Sequence, residues 1–344
     1  MEHNQLILSA KDVNIQFNLR GKVLHAIRGI DLDLYQGEVL AIVGESGSGK
    51  SVFTKSFMGL LDANGSITSG TIDYYGMADG KPLRLSDLRT EKDWLRVRGR
   101  EIAMVMQDPM TSLNPLKTIG AQIMEAVALH QGLKGAAAKE KTLEYLRDVG
   151  ISDPEKRFKQ YPHEFSGGMR QRVVIAIAVA CNPKILICDE PTTALDVTVQ
   201  AQVLEQLNQL RERFGTALII ITHNLGIVAR YADTVKIMYG GKIVEDGPTD
   251  EVFENPQHPY TLGLIRAVPR LDLPRSHGLY TIEGEPPDMS KIPPDCCAFH
   301  SRCKYADELC RSCRPQPEQV GERHWCACFH RELAQAEREE VLSI

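Results

Sequence analysis

Apolar and polar residues alternate over residues 5–35, and this period of two predicts short, half-buried β-strands separated by turns. An uninterrupted apolar run follows at residues 39–43. Largely apolar runs of the same kind lie at residues 102–106, 185–188 and 218–222. Strands that are apolar on both faces are typical of a sheet covered by helices on both sides. The pattern therefore predicts an α/β domain.

Helical periodicity appears between residues 118 and 150, where apolar residues recur every three or four positions. We expect residues 108–165 to form a helical insertion within the α/β domain. Further helices are predicted over residues 51–61 and 197–214. In contrast, residues 62–100 are polar and rich in turn-forming residues.

The composition is that of a soluble globular protein, with 344 residues of which 43% are hydrophobic and 25% charged. No apolar stretch reaches the roughly 18 residues of a membrane span, and the N-terminus lacks the basic flank and apolar core of a signal peptide. We therefore expect the chain to stay on the cytosolic side, where ATP is available. The net charge of -5 argues against nonspecific nucleic-acid binding, which needs a basic face.

The strongest chemical signal is the glycine-rich loop at residues 44–51, which follows the apolar run 39–43. Glycines in such a loop let consecutive N–H groups turn toward phosphate oxygens, and a helix N-terminus adds partial positive charge. The lysine would reach the β- and γ-phosphates of a nucleotide, and the last serine would bind Mg²⁺. A chance match is the alternative, but the predicted strand before and helix after the loop favour a phosphate cradle. The loop reads Gly44-Glu45-Ser46-Gly47-Ser48-Gly49-Lys50-Ser51.

Two adjacent carboxylates, Asp189 and Glu190, end the apolar run 185–188. A phosphate loop needs a second strand that places an acidic residue near the metal. Asp189 would hold Mg²⁺ directly or through water, and Glu190 would polarise the attacking water. A solvated turn is the alternative interpretation, which the phosphate loop makes less favourable.

Between these motifs the sequence resembles the signature of the ATP-binding cassette (ABC) family. The resemblance implies a P-loop ABC nucleotide-binding domain with a RecA-like core, an antiparallel β subdomain and a helical subdomain. It also implies that ATP lies between two chains, with the signature helix of one chain facing the γ-phosphate on the other. An ordinary helix cap is the alternative. The segment reads Phe165-Ser166-Gly167-Gly168-Met169-Arg170-Gln171-Arg172.

Three further segments match family motifs in chain order. Gln107 matches the Q-loop glutamine, which in the family touches the metal or the lytic water. Residues 194–196, ending in Asp196, match the D-loop, which communicates across the dimer. His223 matches the switch histidine, which contacts the γ-phosphate; taken alone it would be an ordinary core or surface histidine. Phe17 lies near the family's adenine-stacking position, but the following turn is longer than the simplest pattern, so we leave it unassigned.

Several segments resemble the ATPases of oligopeptide and dipeptide importers (OppD/DppD-type) in particular: residues 107–115, 161–163, 258–261 and 297–303. The resemblance implies a heterodimer with a homologous second ATPase (OppF/DppF-like), beneath two transmembrane permeases. The chain would be peripheral on the cytoplasmic side of the inner or plasma membrane, and a peptide-binding protein would act indirectly. A related nickel or glutathione importer is the alternative, and a soluble cassette protein that acts on nucleic acid is a less favoured one.

The resemblance also implies two parts, an ABC ATPase domain at residues 5–265 and an extension at residues 266–335. The extension begins with a proline-rich stretch, residues 264–294, which predicts a linker or an extended arm. Seven of the nine cysteines follow, between residues 296 and 328. Such crowding in a cytosolic protein suggests metal binding more than disulfides.

The metal itself is left open by the cysteine pattern. The resemblance implies a [4Fe–4S] cluster on Cys297, Cys303, Cys310 and Cys328, and thiolates suit such a cluster. Zinc is the alternative, because Cys310-x-x-Cys313 with Cys326-x-Cys328 is partly zinc-like, and free thiols or disulfides are the third. We expect a structural role, because so small a tail cannot build a sufficient core and a metal could supply the missing stability.

Overall fold

The computed structural model describes residues 5–19, 21–192, 195–269, 280–293 and 295–342. Its strands are β1 (Leu6–Leu19), β2 (Lys22–Tyr35), β3 (Val39–Val43), β4 (Gly65–Tyr74), β5 (Leu83–Arg84), β6 (Ile102–Val105), β7 (Ile185–Asp189), β8 (Ala217–Thr222), β9 (Thr234–Tyr239), β10 (Lys242–Pro248), β11 (Glu318–Gln319) and β12 (Trp325–Cys326).

The helices of this part of the chain are α1 (Lys50–Ser56), α2 (Glu91–Trp94), α3 (Pro109–Ser112), α4 (Ile119–Gln131), α5 (Gly135–Asp148), α6 (Pro154–Arg157), α7 (Gly167–Ala180), α8 (Val197–Phe214), α9 (Leu225–Tyr231), α10 (Thr249–Glu254), α11 (Pro259–Arg266), α12 (Glu308–Ser312) and α13 (Arg331–Leu342). Within the described ranges, none of them combines the length and the apolar character needed to cross a bilayer.

The main sheet has the strand order β11-β12-β10-β9-β3-β8-β7-β6, and its strands from β9 to β6 are parallel. Every residue of β3, β7 and β8 is buried, which agrees with their largely apolar sequences. Separate hydrophobic clusters include residues from opposite faces of this sheet. The predicted α/β core is therefore confirmed, and the carboxyl ends of β3, β7, β8 and β6 share one edge.

A second, antiparallel sheet has the order β2-β1-β4-β5. The alternation over residues 5–35 predicted β1 and β2, but β4 falls in the segment whose composition indicated turns. Its sequence, GSITSGTIDY, is rich in short polar residues and half of the strand is poorly buried. Pairing with β1, rather than an apolar pattern of its own, holds β4 in the sheet.

The periodic region between residues 118 and 150 forms α4 and α5, as predicted. Thr118 caps α4, because its side-chain oxygen accepts a hydrogen bond from the Ala121 N–H at 3.4 Å. Gly132 ends the helix in the left-handed conformation. Both helices bury apolar residues against α7 in one hydrophobic cluster.

Helix α1 begins at Lys50 and ends at Ser56, so it is shorter than the helix predicted over residues 51–61. Gly59 has a φ of 61°, and the Leu60 N–H donates to the Lys55 carbonyl at 3.0 Å, as in a helix-ending Schellman motif. A Cβ on Gly59 would lie 2.2 Å from the Trp94 ring. The chain therefore turns where Trp94 packs against it.

The cysteine-rich tail, by which we mean the described residues from 295 onward, packs onto the cassette, the part of the chain before residue 266. Strand β12 pairs with β10, and Phe299 is buried in the hydrophobic cluster of β3 and β9. His324 Nε2 lies 2.8 Å from Glu245 Oε1, and both side chains are buried. Sheet pairing and apolar packing thus hold the tail, a task that the sequence analysis assigned to a metal. The predicted extended arm lacks helix and strand at residues 280–293, whereas residues 270–279 and 294 lie outside the described ranges.

Candidate functional site

The phosphate loop connects β3 to α1 and is enclosed by neighbouring backbone. A Cβ on Gly44 would lie 2.2 Å from the Met238 carbonyl oxygen, and one on Gly49 would lie 2.8 Å from the Ala26 carbonyl oxygen. Gly49 also has a φ of 102°, which strains any other residue. Glycine is therefore required at both positions for the loop to curl as it does.

Lys50 lies inside this loop and is 5% exposed. Its Nζ donates to the carbonyl oxygens of Gly44 at 2.7 Å and Glu45 at 2.9 Å. Burial lowers the pKa of Lys50, and the carboxylates of Glu190, Asp189 and Glu45 oppose that shift. The loop thus fixes an amino group where its N–H groups and helix α1 favour an anion.

Ser51 and Asp189 bring two oxygen atoms together next to Lys50. The Ser51 hydroxyl donates to Asp189 Oδ1 at 2.9 Å, which joins α1 to the end of β7. Burial raises the pKa of Asp189, whereas the Ser51 hydrogen bond lowers it. Hydroxyl and carboxylate oxygens are the ligands that Mg²⁺ prefers, so the donor set fits this ion.

Glu190 lies at the point where three parallel strands end. Its carboxylate accepts a hydrogen bond from Gln107 Nε2 at 3.1 Å and lies 3.5 Å from His223 Nδ1. Gln107 follows β6 and His223 follows β8, the strands on either side of β7. Glu190 has a φ of 47°, a backbone conformation that only a few per cent of non-glycine residues adopt. The structure therefore brings these three sequence-predicted residues together.

The signature segment lies elsewhere on the surface. Ser166 caps α7 by accepting a hydrogen bond from the Met169 N–H at 3.4 Å, and Ser166 and Gly167 are both exposed. A Cβ on Gly168 would lie 2.6 Å from Val199 Cγ1, so α7 approaches α8 closely at this point. The first turn of α7 therefore begins at the surface of the chain.

Asp196 is exposed and caps α8, with its Oδ1 accepting from the Val199 N–H at 2.9 Å. Residue 194 of the predicted D-loop lies outside the described residues.

A cavity of about 410 Å³ opens beside the phosphate loop. Among the described residues that line it are Lys50, Gln107 and Glu190, and none comes from the signature segment. Phe17 and Met289 also line it, and sequence reasoning had left the first unassigned and missed the second. A larger cavity of about 570 Å³ lies between β10 and the tail; Cys326 lines it, but none of the predicted ATP-site residues does.

Sequence reasoning also missed two residues that hold Glu45, one in α11 and one in the cysteine-rich tail. Arg302 Nη1 donates to Glu45 Oε2 at 2.7 Å, and the Glu45 N–H donates to the Tyr260 hydroxyl at 3.0 Å. Arg302 lies 257 positions after Glu45 in the sequence, so no local sequence motif could predict this contact. Tyr260 stands in the segment 258–261, which was noted only for its resemblance.

The four cysteines singled out from the sequence influence one another's ionisation. The pKa of Cys297 is raised to about 12, chiefly by burial, and the nearby Cys310, Cys328 and Cys303 contribute to this rise. Burial likewise raises the pKa of Cys328 to about 11, with Cys303 and Cys310 adding to the rise. The fold therefore gathers these four thiols from separate parts of the tail.

The remaining tail cysteines have other surroundings. Cys313 is exposed, and Cys326 is buried in β12. Within the described part of the chain, one group of three potential metal ligands comes close together. It consists of Asp307, Cys310 and His330, whose ligand atoms lie within 4.8 Å of one another. No three of the four gathered thiols come as close as that.

Comparisons with known proteins agree with this geometry. The ABC transporter family profile matches residues 27–193, and the profile of the oligopeptide/dipeptide transporter C-terminal region matches residues 244–310. The chain is 47% identical to the oligopeptide transport ATP-binding protein AmiE of Streptococcus pneumoniae, over 99% of this chain and 95% of that protein. It is 46% identical to the dipeptide transport ATP-binding protein DppD of Bacillus subtilis, over 94% of each chain.

Solved structures share the fold. CbiO1 of Clostridium perfringens, part of an ABC transporter complex, superposes with a TM-score of 0.61 at 29% identity over 73% of this chain and 91% of that one. A dimeric ATP-binding cassette bound to ADP and Pi superposes with a TM-score of 0.62 at 24% identity, over 71% of this chain and 99% of that one. The chain therefore belongs to the ABC transporter family, among the ATP-binding proteins of oligopeptide and dipeptide transporters.

Proposed function

We propose that this chain is the ATP-hydrolysing subunit of an ABC importer for oligopeptides or dipeptides. The observation that carries the proposal is the similarity of nearly the whole chain, at 46–48% identity, to proteins named for oligopeptide or dipeptide transport. A match of residues 244–310 to the C-terminal region of such transporters supports it independently of the ATPase motifs. The chain divides into an ATPase domain at residues 5–265, with a helical subdomain at about residues 108–165, and an extension at residues 266–335.

The phosphate loop and Lys50 hold the triphosphate. Ser51, Asp189 and Gln107 are the residues that hold Mg²⁺, which supplies neutralising charge to the phosphate oxygens when bound. Phosphoryl transfer to water requires little covalent chemistry from a protein, so positioning and charge stabilisation dominate.

Glu190 orients the attacking water and accepts its proton. Gln107 and His223 support this role because both lie within 3.5 Å of the Glu190 carboxylate. Asp189 accepts from Ser51, whereas Glu190 contacts Gln107 and His223, so two successive carboxylates take two different tasks.

ATP lies between two subunits. Ser166, Gly167 and Gly168 face the γ-phosphate bound by the partner ATPase, and Asp196 lies at the same dimer interface. The exposure of Ser166 and Gly167, and their separation from the chain's own phosphate-loop cavity, support this arrangement. The N–H groups at the start of α7 would stabilise the negative charge.

The partners are a homologous second ATPase (OppF/DppF-like) and two transmembrane permeases, with a peptide-binding protein acting indirectly. The chain is then peripheral on the cytoplasmic side of the membrane. Affinity purification of the tagged chain from detergent-solubilised membranes tests this assignment. Recovery of two multispanning proteins and a second cassette, with ATPase activity stimulated by peptide-loaded binding protein, is the expected result. Recovery of a ribosome or nucleic acid instead would contradict it.

The tail binds a [4Fe–4S] cluster through Cys297, Cys303, Cys310 and Cys328. The mutual influence of these four thiols supports a shared group. Tetrahedral zinc with bonds of about 2.3 Å would hold its sulfurs roughly 3.8 Å apart. No three of the four thiols lie within 4.8 Å of one another, so they do not have the spacing of a tetrahedral zinc site.

Zinc is the rival, and the close set of Asp307, Cys310 and His330 is the observation that favours it. Anaerobic purification followed by iron, sulfide and zinc analysis distinguishes the two metals. Matching iron and acid-labile sulfide with visible charge-transfer absorbance is expected. Stoichiometric zinc without iron would overturn the cluster.

A further inference from the structure

The phosphate loop is fastened to the C-terminal segment, by which we mean the described residues from 259 onward. Its second residue, Glu45, is held at two atoms. The backbone N–H donates to the Tyr260 hydroxyl at 3.0 Å, and carboxylate Oε2 accepts from Arg302 Nη1 at 2.7 Å. Both contacts are made at the loop that receives the nucleotide phosphates, yet neither Tyr260 nor Arg302 belongs to one of the predicted ATP-binding motifs.

Arg302 is itself rigidly placed. Only 5% of its side chain is exposed. Its Nε donates to the Glu283 carbonyl at 3.0 Å, and Nη2 donates to the Ile282 carbonyl at 3.3 Å. All three nitrogens of the guanidinium therefore donate hydrogen bonds. A planar guanidinium held in this way is pre-organised, so little side-chain entropy is lost when it binds a carboxylate.

Three aromatic side chains, those of Tyr239, Tyr260 and Phe299, pack together next to these contacts. Ring centroids of Tyr239 and Tyr260 are 4.6 Å apart, and Phe299 lies 5.1 Å from Tyr239 and 5.4 Å from Tyr260. Tyr239 belongs to β9 of the main sheet, Tyr260 to α11 and Phe299 to the cysteine-rich tail. Three distant parts of the chain thus form one packed support under Glu45.

The contact has a direct consequence for Lys50. The Glu45 carbonyl oxygen accepts a hydrogen bond from Lys50 Nζ at 2.9 Å. Fixing the backbone and side chain of Glu45 therefore fixes an acceptor that orients the phosphate-binding lysine. Arg302 also neutralises a carboxylate that would otherwise stand unpaired beside the nucleotide phosphates and repel them.

We propose that Arg302 is a positioning residue for nucleotide binding, through which the C-terminal segment holds the phosphate loop. Met289 of the same segment lines the cavity beside the loop, which is a second place where the segment reaches this site. Cys303 follows Arg302 directly, so a change in the cysteine cluster has a short path to the phosphate loop. The proposal rests neither on the metal of the tail nor on the transported substrate.

The test is the affinity of the purified full-length chain for a fluorescent ATP analogue. Arg302→Gln should weaken binding about tenfold, which corresponds to about 1.4 kcal/mol. The exposed Arg311, whose contact with Glu308 is 3.8 Å, provides the matched control in the same tail. Arg311→Gln should bind the analogue as the unaltered chain does.

A double variant separates positioning from a general folding defect. Arg302 and Glu45 are the two partners of one contact, so Arg302→Gln and Glu45→Gln should each weaken binding, and the double variant should bind no more weakly than the weaker single variant. A general folding defect caused by Arg302→Gln would add to the loss caused by Glu45→Gln. Tyr260→Phe, which removes the hydroxyl that accepts from Glu45, is a milder second probe and should weaken binding about threefold.

Thermal unfolding without nucleotide checks that each variant is folded. Should Arg302→Gln not fold, Tyr260→Phe carries the test. Unchanged affinity in the folded variants overturns the proposal, and so do losses from Arg302→Gln and Glu45→Gln that simply add in the double variant.

Discussion

The carboxyl edge of the parallel sheet and the C-terminal segment reach the same phosphate loop in different ways. At the sheet edge, Gln107, Glu190 and His223 each follow a strand end, so neighbouring strands bring them together. In the C-terminal segment, Arg302 and Tyr260 reach Glu45 across more than 200 positions of sequence. The comparison suggests that local motifs place the chemistry, whereas long-range packing holds the loop on which that chemistry depends.

Removing an aromatic ring from the tail tests the packing side of this comparison and should have the largest effect. Phe299 is 4% exposed and contacts both Tyr239 and Tyr260. Phe299→Ala should lower the free energy of unfolding by about 3–5 kcal/mol, because it removes a buried ring and leaves a cavity. Chemical denaturation measures this change.

Phe329 lies in the same tail but is 37% exposed, so it offers a matched control. Phe329→Ala should cost less than about 1 kcal/mol. Equal losses in the two variants would show that the tail does not pack as a support for the phosphate loop.

Neutralising Glu190 tests the chemical side. Glu190→Gln keeps the shape of the side chain but cannot accept a proton, so turnover should fall at least ~100-fold, about 2.7 kcal/mol of barrier. ATP binding should remain, because the phosphate loop is unaltered. Single-turnover ATPase assays of the assembled transporter measure the loss.

Glu205→Gln on the exposed face of α8 is the control and should keep full turnover. Near-normal hydrolysis in Glu190→Gln would remove Glu190 from the role of water-orienting base.

The pH dependence of stability tests the junction of cassette and tail, with a smaller effect. His258 is buried, and its Nδ1 accepts from the Tyr260 N–H at 3.0 Å at the start of α11. Burial lowers the pKa of His258 to about 3, so the folded chain keeps this histidine neutral. The unfolded chain takes up a proton below the ordinary histidine pKa of about 6.5.

Stability from His258 is therefore present above pH ~6.5 and is lost as the pH falls, by at most about 1.4 kcal/mol per pH unit. His258→Asn keeps a capping acceptor without a titrating group. Its unfolding free energy should therefore fall less steeply between pH 6.5 and pH 5. This range lies between the ordinary histidine pKa of about 6.5 and the folded value near 3, where His258 adds to the pH dependence. Identical slopes for the two chains would show that His258 is protonated in the folded state.

Much of the sheet edge could be predicted from the sequence because its signals are local. Buried parallel strands are uninterrupted apolar runs, and the functional residue follows each run directly. Strand β4 escaped prediction because its residues are short and polar and its pairing with β1 holds it in place. The end of α1 was not predicted because it also depends on a distant part of the chain: Trp94 packs where the chain turns at Gly59.

The C-terminal segment was predicted in part. The resemblance to importer ATPases singled out Cys297, Cys303, Cys310 and Cys328, and their role as ligands of one metal group stays a prediction. The contact of Arg302 with Glu45 left no such signal, because an arginine and a glutamate so far apart in sequence carry no shared pattern. Only the packed aromatic support reveals why these two residues meet.

The central claim is that each ATP is held by the phosphate loop of one subunit and the signature helix of its neighbour. The most direct measurement is an electron cryomicroscopy structure of the assembled Glu190→Gln transporter with Mg²⁺ and ATP. The account predicts that Ser166 of this chain lies within hydrogen-bonding distance of a γ-phosphate bound by the partner ATPase. Nucleotide contacted by one subunit alone, with Ser166 distant from every γ-phosphate, would contradict it.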